Sequence, residues 1–99
     1  MKALLALSAA LASLPALAQD VQSRNLAAPC AICHGTDGRP AGTDSPLIPL
    51  AGLPRDHISA QLRAFRDGKR PATVMHQIAK GYTDPQIDQL AAWFAAQKR

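Results

Sequence analysis

Residues 25–38 read Asn25-Leu26-Ala27-Ala28-Pro29-Cys30-Ala31-Ile32-Cys33-His34-Gly35-Thr36-Asp37-Gly38, and the five from Cys30 to His34 hold both cysteines of the chain. Residues three apart on a helical turn share a face. The thiols of Cys30 and Cys33 then point the same way, and His34 follows at once with an imidazole able to ligate a metal. This C-x-x-C-H pattern matches covalent haem attachment. Both thiols reach the two vinyl groups on one porphyrin edge, and His34 places a ring nitrogen on the iron. Three other readings use the same residues. A structural zinc site would need a fourth protein ligand, from His57 or His76, and no second paired motif is present. A thioredoxin-like dithiol needs a βαβ context that the chain does not offer. A disulfide across a two-residue gap closes too small a loop to stabilise much, and leaves His34 without a role.

The 99 residues carry a formal net charge of +4. Met1-Lys2 followed by the apolar run Ala3–Leu14, the break at Pro15 and the small-residue site Ala16-Leu17-Ala18 read as an export signal cleaved before Gln19. The run is shorter than the roughly 20 residues of a membrane span, so an anchor is disfavoured. The expected division is a signal peptide at 1–18 and one domain at 19–99, with the mature protein in the periplasm. So small a domain buries only about 60% of its unfolded surface and needs a staple. Two cysteines so close supply none as a disulfide, whereas a covalent haem would. Lys2 leaves with the signal, and the remaining charge suits docking to an acidic protein surface better than nucleic-acid binding.

The surrounding pattern is helical. Leu26, Ala27 and Ala28 start a helix that Pro29 is expected to bend or interrupt before one turn carries Cys30–His34. Eight Gly and Pro residues between Gly35 and Pro54 predict a loop, long enough to need a reason such as wrapping a cofactor. Ile58, Leu62 and Phe65 recur on one face and predict a helix from Asp56 to Asp67, stopped at Gly68. Thr73–Lys80 is a shorter helix with Val74, Met75, Ile78 and Ala79 on one side, ended by Gly81. Thr83-Asp84-Pro85-Gln86 has capping-box spacing, and Ile87, Leu90, Ala91 and Phe94 give the last helix, to about Gln97, one apolar face. The domain is therefore expected to be all-α with long loops.

Six-coordinate iron needs a second axial ligand. Met75 is the only methionine of the mature chain and lies 41 residues beyond His34, far enough for the chain to cross to the other haem face. Its thioether is a soft ligand that favours reduced iron. His76 is the alternative, and His57 reads as a surface residue. The other ring nitrogen of a metal-bound histidine normally donates to an acceptor, here expected to be a backbone carbonyl near Pro46. Arg63, Arg66, Lys69 and Arg70 cluster at the end of the second helix. They read either as a solvated, dipole-matched face or as a docking patch or propionate contact. Tyr82 and Trp93 read as packing residues, with Tyr82 close enough to the Met75 helix to touch the haem edge.

Three stretches carry a resemblance to the bacterial class I cytochromes c: Cys30–Gly38, Phe65-Arg66-Asp67-Gly68-Lys69-Arg70, and Thr73–Asp84 followed by Leu90-Ala91-Ala92-Trp93-Phe94. The Met75 segment resembles the cytochrome subunit of flavocytochrome c sulfide dehydrogenase. The resemblance implies the small class I cytochrome c fold, about four short helices and a long loop around one covalent haem c. It implies that the first and last helices cross near Asn25–Ala28 and Leu90, Trp93 and Phe94. It also implies Cys30 and Cys33 as anchors, His34 and Met75 as iron ligands, and one-electron transfer. Electrons would come from a flavoprotein subunit that oxidises sulfide, or from another redox protein if the chain is a free shuttle between respiratory complexes. Some members of that family carry two haem domains, whereas this chain has one Cys-x-x-Cys-His. No catalytic residue of its own is expected.

Overall fold

The computed structural model describes residues 14–42 and 47–99. Its elements are α1 (Leu14–His34), α2 (Arg55–Arg66), α3 (Met75–Lys80) and α4 (Asp84–Ala95). Among the described residues the one bridge of strand type is an isolated pairing of Thr36 with Arg39. The all-α expectation holds. Residues 1–13 of the expected signal, and Pro46, lie outside the described residues. Leu14–Ala18 continue α1 backwards without a break.

The apolar faces meet where α1, α2 and α4 pack. Ala27 of α1, Ile58 of α2, and Leu90, Ala91 and Phe94 of α4 form the buried cluster, and Leu26, Cys30, Leu50, Leu53, Leu62, Tyr82 and Trp93 pack against it. The expected crossing of first and last helices is therefore present. Ala27 and Ala91 let the two helices approach closely. Full burial of a side chain such as Leu90 or Phe94 contributes about 1.5–3 kcal/mol.

Of the bend or interruption expected at Pro29, the interruption does not occur: α1 runs through it. Proline removes the hydrogen bond to the Asn25 carbonyl. Asn25 and Pro29 are both exposed, so water can satisfy that carbonyl, while Ala27, Leu26 and Cys30 keep the opposite face packed. The cost of the missing bond falls on the solvent side, and tertiary packing carries the helix through.

The loop after α1 is folded back by backbone bonds. Gly38 accepts from Leu50 N–H at 2.9 Å and Ala51 N–H at 3.2 Å, and Gly52 N–H donates to Phe94 O at 2.9 Å. Gly52 thereby ties the end of this loop to the end of α4. Helix α2 starts at Arg55, one residue before the expected position, with Pro54 at its N-cap and Asp56 in its first turn. Helix α3 is two residues shorter than expected. Val74 is its N-cap and is exposed, so the expected apolar face is confined to Met75, Ile78 and Ala79, of which Ala79 is fully buried. The Thr83–Gln86 capping box forms in both directions, with Pro85 in the first turn of α4.

Candidate functional site

Cys30 and Cys33 are both free thiols on the last turns of α1, with Cys33 exposed and Cys30 half-buried. The disulfide reading therefore has no support. Their spacing on an unbroken helix puts them on one face. His34 closes the helix, and Gly35 turns the chain away at once: its φ is +86°, and a Cβ there would lie 2.1 Å from Arg39 O. This left-handed geometry suits glycine alone. The reversal lets the returning loop reach His34, whose Nδ1 donates to Ile48 O at 2.8 Å. The acceptor is thus a carbonyl of the expected loop, two residues beyond Pro46. With Nδ1 held, Nε2 is the nitrogen left to ligate a metal.

Burial pushes the Cys30 thiol above its ordinary value, and a hydrogen bond with Tyr82 partly offsets this. Burial, followed by the neighbouring Cys30, pushes the Tyr82 hydroxyl up to about 12. That hydroxyl donates to Leu26 O at 2.9 Å. Sequence reasoning assigned Tyr82 to packing and missed this link, because a bond between residues 56 apart leaves no local pattern.

Met75 is half-buried at the first position of α3, and α3 packs on α2. His76 beside it holds Nδ1 inside, with no hydrogen-bond partner among the described residues. His57 is exposed at the start of α2. Among the described residues no three His, Cys, Asp or Glu side chains converge as a metal-ion site. The zinc reading therefore lacks its ligand set.

The donor set fits a haem. Two thiols share one helix face, one imidazole is oriented by a backbone carbonyl, and a soft sulfur stands on a separate helix. The apolar surface agrees. Among the described residues five large apolar ones are notably exposed, and four are sequence neighbours of these groups: Ile32 (85%) between the cysteines, Val74 (55%) before Met75, and Leu47 (39%) and Ile48 (54%) at the His34 acceptor. Large apolar side chains left exposed beside such donors are what a bound apolar group would cover. A separate cavity of about 560 Å³, lined by residues including Arg39, Pro40, Ala51, Leu53 and Arg99, adjoins the site only through Ile48 and Pro49 and contains none of the four candidate residues.

Most of the basic cluster turns inward. Arg63 reaches Asp88 at 3.0 Å and Asp84 at 3.6 Å, and Arg66 also pairs with Asp84. Arg70 donates to Gln61 and lies 4.6 Å over the Phe65 ring. These arginines tie α2 to the start of α4 and close the turn after α2. These five contacts are made within the chain, and Lys69 is exposed.

No protein-family model matches the chain. It is 40% identical over 86 residues to the cytochrome subunit of sulfide dehydrogenase of Chlorobaculum tepidum, a match covering 84% of this chain and 74% of the relative. It is 34% identical over 73 residues to cytochrome c-554(548) of Halomonas halodenitrificans, covering 70% of this chain and 84% of the relative. It is 38% identical over 69 residues to a thiosulfate dehydrogenase electron acceptor of Stutzerimonas stutzeri, covering 67% of this chain and only 31% of that longer protein. A short all-helical chain with a Cys-x-x-Cys-His turn and these relatives is an electron-transfer cytochrome that binds haem c. The chain belongs to the bacterial class I cytochromes c and, within them, resembles the sulfide dehydrogenase cytochrome subunit. Among the described residues no helix is long and apolar enough to cross a membrane.

Proposed function

We propose that the chain is a periplasmic monohaem cytochrome that accepts single electrons from a flavoprotein sulfide dehydrogenase subunit, after export and removal of residues 1–18. Cys30 and Cys33 anchor the haem covalently, and His34 and Met75 ligate its iron. The observation that carries this reading is the turn Cys30–His34. Its two thiols lie on one helix face, and its histidine has Nδ1 committed to Ile48 O, leaving Nε2 for the metal. Haem c supplies an iron that cycles between two oxidation states.

The chain's own residues set where that happens and how easily. Ile48 O fixes the tautomer and ring plane of His34 and raises its basicity. The Met75 thioether favours the reduced iron. The 40% identity to a sulfide dehydrogenase subunit supports the flavoprotein donor. A free shuttle is the second reading, supported by the likeness to a thiosulfate dehydrogenase electron acceptor.

Two experiments test the proposal. Purification from native periplasm should bring haem and flavin into one fraction, and haem alone would favour the shuttle. The oxidised protein should show a far-red sulfur-to-iron charge-transfer band that Met75→Ala abolishes and His76→Ala keeps. A holoprotein without that band would transfer the ligand role to His76, whose inward Nδ1 has no other partner among the described residues.

A further inference from the structure

Helix α3 is six residues long and begins at Met75, and Val74 caps it without a side-chain bond. The first turn closes through Val74 O, which accepts from Gln77 N–H at 2.9 Å and Ile78 N–H at 3.2 Å. The other end leads directly into Tyr82. Gly81 N–H and Tyr82 N–H donate to Ile78 O and Ala79 O at 3.1 and 3.2 Å, so the Tyr82 backbone is continuous with the helix. From there the Tyr82 side chain crosses to α1 and donates to Leu26 O at 2.9 Å. Leu26 and Cys30 are four apart, hence neighbours on one face of α1, and the Cys30 side chain lies near enough to Tyr82 to perturb its hydroxyl. Pro29, which donates no backbone bond, lies between them. The hydroxyl thus holds α1 at the turn that contains Pro29 and leads into Cys33 and His34. Thioether formation at Cys30 would remove its S–H and leave the bond to Leu26 intact.

We propose that Tyr82 is a positioning residue, its hydroxyl bracing the haem-anchoring turn of α1 against the segment that carries Met75 and so setting how firmly Met75 binds the iron. This rests on the proposed Met75 ligation. The brace joins the two elements that would stand on opposite haem faces, and it does so by one hydrogen bond. Loss of that bond leaves the ring packing and frees the relative position of the elements.

The test uses the mature holoprotein and its Tyr82→Phe variant. Carbon monoxide binds the reduced iron only by displacing the methionine, so its affinity reports the strength of the Met75 bond. Tyr82→Phe should raise that affinity roughly five- to tenfold, the equilibrium factor of one net hydrogen bond, and weaken the far-red band of the oxidised protein. Ser59→Ala serves as a stability control, because it removes a hydrogen bond between α2 and α4 remote from the brace. An unchanged carbon monoxide affinity in Tyr82→Phe would overturn the proposal, as would an equal rise in Ser59→Ala. Absence of the far-red band from the wild type would instead overturn the ligand assignment, which keeps the two failures distinct.

Discussion

Leu90→Ala should cost this domain a large share of its stability. Leu90 is 1% exposed and lies in the cluster with Ala27, Ile58, Ala91 and Phe94. The substitution deletes three carbon groups, worth roughly 2.4 kcal/mol at about 0.8 kcal/mol per buried methylene. The void adds to that. Two of its neighbours, Ala27 and Ala91, are too small to swing into the space, so the site collapses poorly and the total should be about 3–4 kcal/mol, within the range for buried leucines. One kcal/mol shifts Tm by about 4–8 °C in a domain of this size, so the expected drop is roughly 12–30 °C. Far-UV circular dichroism of the holoprotein during heating measures it, and the proposed thioether links would keep loss of the cofactor from complicating the melt. A drop below about 5 °C with an intact spectrum would refute the claim that the α1–α4 crossing is the core.

Two further perturbations probe the site's frame. Gly35→Ala would set a Cβ against Arg39 O, at 2.1 Å, in a backbone region unfavourable to alanine by about 1–2 kcal/mol even without the collision. The turn after His34 must then open, and haem absorbance per mature polypeptide should fall severalfold; wild-type loading would contradict the turn. Asp88 is held below the usual aspartate range by Ser59, then by Arg63. Its contribution is therefore fully present above the ordinary aspartate pKa and is lost as pH falls through the lower folded value. Carboxyl NMR titration should find Asp88 low in the wild type and higher in Ser59→Ala. An Asp88 that titrates like a free aspartate would remove the α2–α4 clamp.

Local patterns in the chain determined a good deal. The placing of Cys30 and Cys33 on one helix face, with His34 at its end, was legible because residues three apart on a turn share a face; the haem-binding roles proposed for them rest on that spacing. The capping box was legible because Thr83 and Gln86 satisfy each other within one turn. The apolar face of α4 followed from helical periodicity at Ile87, Leu90, Ala91 and Phe94, all buried.

Tertiary structure decided what depends on partners far along the chain. Pro29 remains inside α1 because α4 packs the opposite face and solvent covers the side that lost its bond. The carbonyl expected near Pro46 is that of Ile48, chosen because Gly35 reverses the chain and the Gly38 bonds to Leu50 and Ala51 set the register of the return. The arginines after α2 find Asp84 and Asp88, and Tyr82 finds Leu26, only when the helices are already side by side. Spacing within a turn is dictated by covalent geometry and can be read from neighbours. The meeting of residues tens of positions apart is set by which faces bury together, and that belongs to the whole fold.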